Sequence, residues 1–369
     1  MWWRAAAHVL FAYAIIVLFI TVSIKNDVLV KETAMQTDHK IHIERPDQCA
    51  EDRVIDHLIN ASGYVSGEEI AQELRISRTA IWNHVNNLKK IGFRIESHPH
   101  LGYHLIGLPD KLLPALISNG LKTELIGKKI VHCARTTSSN DEAERLARMG
   151  EHEGTVIIAE EQTAGKGRVG RVWHSPRGKG IYLSVILRPQ LPPARVSYLT
   201  LCSAISAVAA IQACSGLRAF VKWPNDVLVS GRKVCGILTE LATEADRINY
   251  AIVGVGINAN QEPPDLAGLK MATSIKIEKG GEVSRLELSR AFLESLDSNY
   301  ALLLHEHYRE IIERWLQVSA TIGRRILAES LSNERWEGVA TGLDEDGCLL
   351  LRLDNGMTKR ITGGDVSVL

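Results

Sequence analysis

Residues 162–173 read Gln-Thr-Ala-Gly-Lys-Gly-Arg-Val-Gly-Arg-Val-Trp and follow a strand-like apolar run at 155–159. Glycines and cations alternate in this stretch, namely Gly165, Gly167, Gly170, Lys166, Arg168 and Arg171. Glycines let backbone N–H groups approach an anion closely, and the cations neutralise phosphate or carboxylate. The spacing satisfies the dinucleotide-binding pattern G-x-G-x-x-G, but that pattern requires a helix to begin at the glycines. Pro176, Gly178 and Gly180 break any such helix, so the stretch predicts a cationic anion-binding loop, with a solvated basic turn as the alternative.

Four further segments lie around this loop in the chain. They are 137–140 (Thr-Ser-Ser-Asn), 222–226 (Lys-Trp-Pro-Asn-Asp), 231–238 (Gly-Arg-Lys-Val-Cys-Gly-Ile-Leu) and 254–258 (Gly-Val-Gly-Ile-Asn). In this order and with this spacing, the segments resemble those of the biotin protein ligases, over roughly residues 50–369. Because a helix-turn-helix pattern precedes them, the chain resembles the family of bifunctional biotin ligases and biotin-operon repressors.

The size and composition limit the class of protein. A chain of 369 residues exceeds the usual size of one hydrophobic core, which predicts two or three domains. Its 43 basic and 43 acidic residues balance, so any nucleic-acid-binding face must be local. The six cysteines show no metal-ligand spacing, and we expect buried free thiols in a reducing cytosol.

The N-terminus contains an apolar segment at residues 5–24, in which His8 is the only ionisable side chain. A segment of this length can cross a bilayer as a helix. The flanking charges, Arg4 and Lys25, indicate no orientation, and no signal-peptide cleavage site follows. A membrane anchor and a translated upstream stretch, with the working protein beginning at Met35, are the alternatives. We favour the second, and in either case the catalytic part must face the cytoplasm.

The pattern along the chain predicts an α+β multidomain fold. We expect an apolar extension and linker at 1–48, a winged helix-turn-helix DNA-binding domain at 49–107, a mixed α/β catalytic domain at 121–318 and a small β domain at 319–369. In the last part, short strand-like runs are separated by the hairpin signals Asp-Glu-Asp-Gly and Asp-Asn-Gly. The family resemblance implies that this C-terminal domain is an SH3-like β-barrel.

The third predicted helix of the first domain begins after Ser77 and turns Ile81, Val85 and Leu88 inward. Its outer face then presents the residues that we expect to bind DNA, namely Arg78, Thr79, Asn83, Asn86 and Lys89. Arginine and asparagine can pair with base edges, and lysine can reach phosphates. Trp82 shares this face, either as an unusual bulky indole in the groove or packed on the wing. A protein-interaction module or a lid over the active site is the alternative to a DNA-binding domain.

The short polar side chains at 138–140 suit a small uncharged polar group such as a ureido ring. Ser138 also reads as a helix cap, and the two interpretations are compatible. The resemblance implies a biotin-binding set, namely Ser138, Ser139, Asn140, Gln162, Lys166, Gly167, Arg168 and Lys233. Family members often carry arginine where this chain has Lys166. Lysine keeps the positive charge at this position but lacks the bidentate hydrogen bonding of a guanidinium.

The resemblance implies that biotin and ATP react to give biotinyl-5′-AMP, and that an acceptor lysine of the biotin carboxyl carrier protein then takes the biotinyl group. We expect Lys233, Arg168 and Arg171 to be catalytic, since cations can spread the charge that develops at phosphorus. We expect ATP and Mg²⁺ at Lys222, Asn225, Asp226 and Asn258, because hard cations prefer oxygen ligands. We expect no resident metal beyond Mg²⁺ with ATP.

Operator DNA is the second expected partner, and an adenylate-bound homodimer would match a palindromic operator. Two alternative functions remain. One is a lipoate or octanoate protein ligase of related fold, and the other is a biotin-sensing transcription factor without catalysis.

Overall fold

The fold is described from a computed structural model, which covers residues 50–244, 247–330 and 334–369. The predictions made for the first 48 residues, including the membrane-spanning segment and the start at Met35, lie outside these residues. Among the described residues, one helix is long and apolar enough to cross a membrane, Pro193–Ser215, and 67% of its apolar window is buried in the protein.

The first domain is a winged helix-turn-helix, as predicted. It consists of helices α1 (Ala50–Asn60), α2 (Gly67–Leu74) and α3 (Arg78–Lys90) and a hairpin of β1 (Arg94–His98) and β2 (Gly102–Gly107). Ser77 begins α3 because its side chain accepts a hydrogen bond from the N–H of Ala80 at 3.1 Å. The predicted inward residues Ile81, Val85 and Leu88 are buried in the small core of this domain.

The central domain is built on a seven-stranded mixed sheet in the order β3-β4-β5-β9-β8-β7-β6. Its strands are β3 (Ile130–Cys133), β4 (Val156–Ala159), β5 (Ile181–Leu187), β6 (Ala219–Lys222), β7 (Asp226–Val229), β8 (Arg232–Glu244) and β9 (Arg247–Ile257). Only β3 and β4 are parallel; every other neighbouring pair is antiparallel. Its helices are α4 (Pro114–Ser118), α5 (Ser139–Arg148), α6 (Ser197–Ser215), α7 (Ile275–Lys279), α8 (Arg285–Leu304) and α9 (Tyr308–Gln317).

Side-chain alternation divides this sheet into two faces. Along β5, Leu183 and Val185 join the main core with α6 and α8, whereas Ile186 packs with α5 on the opposite face. Ser184 also points to the second face, where its hydroxyl bonds the Ser139 side chain at 2.8 Å. The apolar face therefore stabilises the domain, and the second face is free to carry polar groups.

The C-terminal part is a five-stranded antiparallel sheet in the order β13-β12-β11-β10-β14, as expected for a small β domain. The strands are β10 (Arg325–Glu329), β11 (Arg335–Leu343), β12 (Leu349–Leu353), β13 (Thr358–Ile361) and β14 (Asp365–Val368). Its inward side chains, including Ile326 and Leu351, belong to the same buried core as the catalytic domain. The two domains therefore share one core. Sequence reasoning missed β3, β7 and β14.

A fully buried arginine, Arg285, lies where the first domain meets the catalytic domain. Its Nε lies 3.0 Å from Asp110 in the interdomain connection, and its Nη1 donates to Glu160 at 2.8 Å, directly after β4. Burial alone would raise the pKa of Glu160, but the His132 imidazole at 3.9 Å, the charge of Arg285 and the Leu112 N–H lower it to about 2. Glu160 therefore remains ionised beside Arg285.

We expect Glu160→Gln to lower the free energy of unfolding by about 3–5 kcal/mol, because it removes the buried one of the two carboxylates that pair with the Arg285 guanidinium and leaves only Asp110. Urea unfolding at neutral pH measures this loss. Because the folded pKa lies below the unfolded value of about 4.3, the carboxylate stabilises the fold above that pH, and the contribution disappears as the pH falls towards 2. The variant should lack this acid dependence.

The matched control is Glu287→Gln, which removes an exposed carboxylate paired with Arg290 at 2.9 Å. Such a pair contributes at most about 1 kcal/mol. Equal losses in the two variants would contradict a structural role for the buried pair.

Candidate active site and DNA-binding face

The inner pocket lies at the N-terminus of α5. All eight residues predicted to bind biotin line it, namely Ser138, Ser139, Asn140, Gln162, Lys166, Gly167, Arg168 and Lys233. Ser138 caps α5, as predicted, by accepting a hydrogen bond from the Asn140 N–H at 3.3 Å. Ser138 therefore both caps the helix and lines the pocket.

A chain of hydrogen bonds holds the polar wall in place. The Gln162 side chain accepts from the Ser139 N–H at 2.7 Å and donates to Ser175 at 2.8 Å. Asn140 donates to the Glu240 carboxylate at 2.6 Å and accepts from Ser184 at 2.5 Å. Because Ser139 and Asn140 are buried and hydrogen-bonded, the wall is preorganised for a polar ligand.

Glycines on β8 and β9 form the floor of the pocket. A Cβ atom at Gly254 would lie 2.1 Å from the Asn140 side-chain oxygen, and one at Gly256 would lie 2.4 Å from the Trp173 ring. Gly236 is restricted in the same way, with its Cβ position 2.8 Å from Trp173. Side chains at these positions would displace the polar wall or the indole, so only glycine fits.

Trp173 closes the anion-binding loop and lies on this floor. Its Nε1 is buried and has no hydrogen-bond partner among the described residues. The Lys233 ammonium lies 5.3 Å from its ring centroid, a cation–π contact. Trp173 lies in the wall shared by both pockets.

The loop itself is a hairpin. The Gly167 N–H donates to the Arg171 carbonyl, and the Trp173 N–H donates to Gly165, both at 2.7 Å. At its tip, Val169 adopts the left-handed backbone conformation at φ 54°, and Gly170 follows at φ 71°. The side chain of Val169 remains exposed.

The predicted cations differ in their partners. Lys166 forms ion pairs with Asp141 and with Glu240, and the Asp141 contact raises the pKa of Lys166. Arg171 pairs with Asp365, which belongs to β14 of the C-terminal domain. Lys233 also pairs with a carboxylate, that of Asp226. Of the four predicted cations, Lys166, Arg171 and Lys233 therefore have carboxylate partners.

Arg168 is the exception, since it forms no ion pair in the part of the chain that the structure describes. It is half-buried, and its guanidinium donates to the Asn225 side-chain oxygen at 2.9 Å. Burial lowers its pKa, while the charges of Asp365 and Asp226 raise it. A partly desolvated guanidinium gains most from an incoming anion.

Lys233 is held more firmly than the other cations. Its N–H donates to the Met271 carbonyl at 2.7 Å, and its carbonyl accepts from Thr273 at 2.8 Å. Its ammonium lies 2.6 Å from an Asp226 carboxylate oxygen. The place of Lys233 in β8 fixes its backbone.

The outer pocket adjoins the inner one and shares Arg168, Trp173, Asn225 and Lys233 with it. All four residues predicted to bind ATP and Mg²⁺ line it, namely Lys222, Asn225, Asp226 and Asn258, and so does Arg171. Sequence reasoning missed Lys270, Asp365 and Val368, which also line it. The last two come from the C-terminal sheet.

Asn258 is less available than the sequence suggests. It is buried, its amide donates to the Thr273 carbonyl at 2.9 Å, and its oxygen accepts from Gln261 at 3.2 Å. The side chain therefore positions the wall segment that contacts Lys233, and its oxygen is already engaged.

The predicted DNA-binding residues lie on the outer face of α3. Arg78, Thr79, Asn83 and Lys89 are exposed, and Asn86 is half-buried. Arg78 lies 3.7 Å from Glu68 of α2, and Lys89 donates to Ser97 of the wing at 2.8 Å. Trp82 is exposed over 57% of its surface, which disfavours the alternative that it packs on the wing.

Together, the fold and site define a protein ligase of the biotin/lipoate type that carries a helix-turn-helix domain. The sequence model of the Biotin/lipoate A/B protein ligase family matches residues 133–258, an HTH domain matches 51–104, and the Biotin protein ligase C terminal domain matches 321–369. The chain belongs to the family of bifunctional biotin ligase/repressors.

The relatives support this assignment along most of the chain. The Bifunctional ligase/repressor BirA of Bacillus subtilis (strain 168) is 38% identical over 307 residues, covering 83% of this chain and 94% of that protein. The Bifunctional ligase/repressor BirA of Escherichia coli (strain K12) is 30% identical over 312 residues, or 84% and 95% of the two chains. The structure resembles the Biotin protein ligase from Aquifex aeolicus in complex with biotin and ATP, with a TM-score of 0.57, 28% identity and coverage of 66% of this chain and 99% of that one.

We expect Gly254→Ala to weaken biotin binding at least about tenfold, because an added methyl group displaces Asn140 from the polar wall. Isothermal titration calorimetry with biotin measures the loss. Gly281→Ala is the matched control, since its Cβ position has no neighbouring atom within 4 Å. Unchanged affinity in the Gly254 variant would show that Asn140 does not shape the biotin site.

Proposed function

We propose that this protein is an ATP-dependent biotin protein ligase and a DNA-binding repressor. It forms biotinyl-5′-AMP and transfers the biotinyl group to a lysine of the biotin carboxyl carrier protein of acetyl-CoA carboxylase. It also binds operator DNA and represses biotin biosynthesis genes. Membership of the ligase/repressor family supports both activities, and the B. subtilis relative carries both in its name.

The observation that carries the ligase activity is the junction of the two pockets. A small polar pocket and an outer cationic pocket meet at Arg168, Asn225 and Lys233. A biotin carboxylate in the first and the α-phosphate of ATP in the second would therefore approach one another beside two cations. This removes the entropic cost of bringing two anions together.

In the first half-reaction, a carboxylate oxygen of biotin attacks the α-phosphorus, and the bond to the bridging oxygen breaks to release pyrophosphate. Lys233 and Arg168 neutralise the charge that spreads over the phosphoryl oxygens. Arg171 and Lys222 line the outer pocket, where the pyrophosphate leaves. No side chain needs to form a covalent intermediate.

Mg²⁺ accompanies ATP in this proposal. Asp226 offers one carboxylate at the outer pocket, and Mg²⁺ is usually held by one or two carboxylates together with substrate phosphates. The donor set therefore fits an ion brought by the nucleotide. Among the described residues, no group of three or more His, Cys, Asp and Glu side chains could hold a metal alone.

In the second half-reaction, the amine of the acceptor lysine attacks the acyl carbon of the adenylate. The bond to the phosphate oxygen breaks, and AMP leaves. Residues of the hairpin loop and Trp173 line both pockets at the junction and would shield the mixed anhydride from water.

For repression, we propose that the adenylate-bound form is a homodimer that binds a palindromic operator through α3 of each copy. Adenylate and operator binding are then coupled through the dimer. The protein acts in the cytoplasm, where its acceptor and DNA are found. The lipoate-type alternative shares the catalytic family model, but the similar Aquifex aeolicus structure is a biotin protein ligase in complex with biotin and ATP, which favours biotin.

The full chain, incubated with ATP, Mg²⁺, labelled biotin and a biotin-acceptor domain, should transfer label to the acceptor lysine. Lys233→Met should lower adenylate formation by more than about a hundredfold, because one preorganised cation contributes about 2.7–4 kcal/mol. Lys359→Met, which removes a surface lysine stacked on Trp336, is the control and should keep full activity. Adenylate without transfer would indicate a sensor, and no adenylate at all would favour the lipoate-type alternative.

The double variant Arg78→Ala, Asn83→Ala should lose operator affinity by at least about tenfold, since each good base contact contributes about 1–3 kcal/mol. Its ligase turnover should stay at the wild-type level, because no residue of α3 lines either pocket. A gel-shift titration with biotin and ATP present measures the affinity. Unaltered DNA binding would show that another face contacts the operator.

A further inference from the structure

Trp82 is the one tryptophan in the described ranges whose side chain is mainly exposed. It makes no hydrogen bond, ring contact or cation–π contact within those ranges, and the helix already buries Ile81, Val85 and Leu88 on its other side. Single exposed apolar residues are normal on proteins, so exposure alone indicates nothing. The position of Trp82 on its helix is what gives it meaning.

Trp82 lies at the centre of the predicted DNA-binding face. It follows Arg78 by four residues and Thr79 by three, and it precedes Asn86 by four, so all four side chains share one side of α3. It is the fifth residue of the helix, within the N-terminal part that reaches base edges in helix-turn-helix proteins. An indole in this position would therefore face the base edges, with polar side chains on either side of it.

The charge around Trp82 favours DNA over a protein groove. Arg78 is three-quarters exposed, and Lys89 and Lys90 lie exposed at the far end of the same helix. The chain as a whole is neutral, so this cationic face is a local feature of the first domain. A cationic rim around an apolar centre complements phosphates that flank an apolar group.

In the major groove, that apolar group is the C5-methyl of thymine, which is the one base-pair edge feature that an apolar side chain can recognise. We propose that Trp82 is a specificity-determining residue that contacts thymine methyl groups of the operator. The inference rests on the proposed DNA-binding function and adds to it a base preference carried by a residue outside the hydrogen-bonding set.

The test replaces single thymidines of the duplex by deoxyuridine, which removes the C5-methyl group and keeps the base pair. The full-length protein, with biotin and ATP, first selects duplexes from a randomised pool, and each thymine of a selected duplex is then replaced singly. Wild-type affinity should fall about fourfold at one or two thymines, the loss expected for about 0.8 kcal/mol per methyl-sized group. Trp82→Ala should bind both forms of the duplex equally at those thymines.

Two controls make the result specific. Lys89→Ala should weaken both forms by the same factor and reduce the salt slope by about one, as for a phosphate contact. Trp82→Ala should unfold at the wild-type temperature, because the indole is exposed. If the variant keeps the wild-type thymine preference, or the wild type has none, the inference is wrong while DNA binding stands. If no duplex is selected, the repressor function and the inference both fail.

Discussion

The arrangement of the domains depends on one buried charge, the guanidinium of Arg285. A cation with no exposed surface is stable only when its donors are paired, and the partners here come from three distant parts of the chain. Asp110 belongs to the connection from the DNA-binding domain, Glu160 follows β4, and the Gly180 carbonyl precedes β5. Glu160 also accepts the Leu112 N–H at 2.8 Å, so the same carboxylate holds the connection a second time. The first domain cannot shift without disturbing the strand that leads into Gln162.

The shape of the inner pocket depends on a second constraint, which is the presence of glycine at three positions of β8 and β9. On the face of the sheet that α5 partly covers, β8 and β9 place glycines where other residues would collide with Asn140 or Trp173. The space left by Gly236, Gly254 and Gly256 is the pocket floor. The opposite face of the same strands carries valine and isoleucine side chains of the core. The glycines of the pocket therefore remove no apolar side chain from that core. The alternation of a β-strand thus separates stability from binding within single strands.

Much of this architecture could be predicted from the sequence, because its signals are local. Each signal lies within a short segment of the chain, such as the loop at 162–173, the glycine-containing segments at 231–238 and 254–258, or the Ser138 cap. The residues that these segments predict line two adjoining pockets. The contacts that escaped prediction are long-range. Arg285 lies 125 residues from Glu160, and Arg171 lies 194 residues from Asp365, with no pattern between them. The strands β3, β7 and β14 have only four residues each, a length at which the periodic signal is weak, although β4 of the same length was predicted from its apolar run. Asn258 looked available because its buried partners Thr273 and Gln261 cannot be seen in the sequence.

The charge pairs explain how a site whose loop cations are mostly paired with carboxylates can accept two anions. Before substrates bind, Lys166, Arg171 and Lys233 form ion pairs with carboxylates, and of these four cations Arg168 forms none among the described residues. Exposed pairs such as those of Lys166 and Arg171 contribute at most about 1 kcal/mol, so phosphate or carboxylate groups can replace Asp141 and Asp365 at little cost. Arg168 is half-buried and gains a full partner. An anion in the pocket should therefore contact Arg168 first and then release Asp365, which connects ligand binding in the loop to the C-terminal sheet without any new contact between domains.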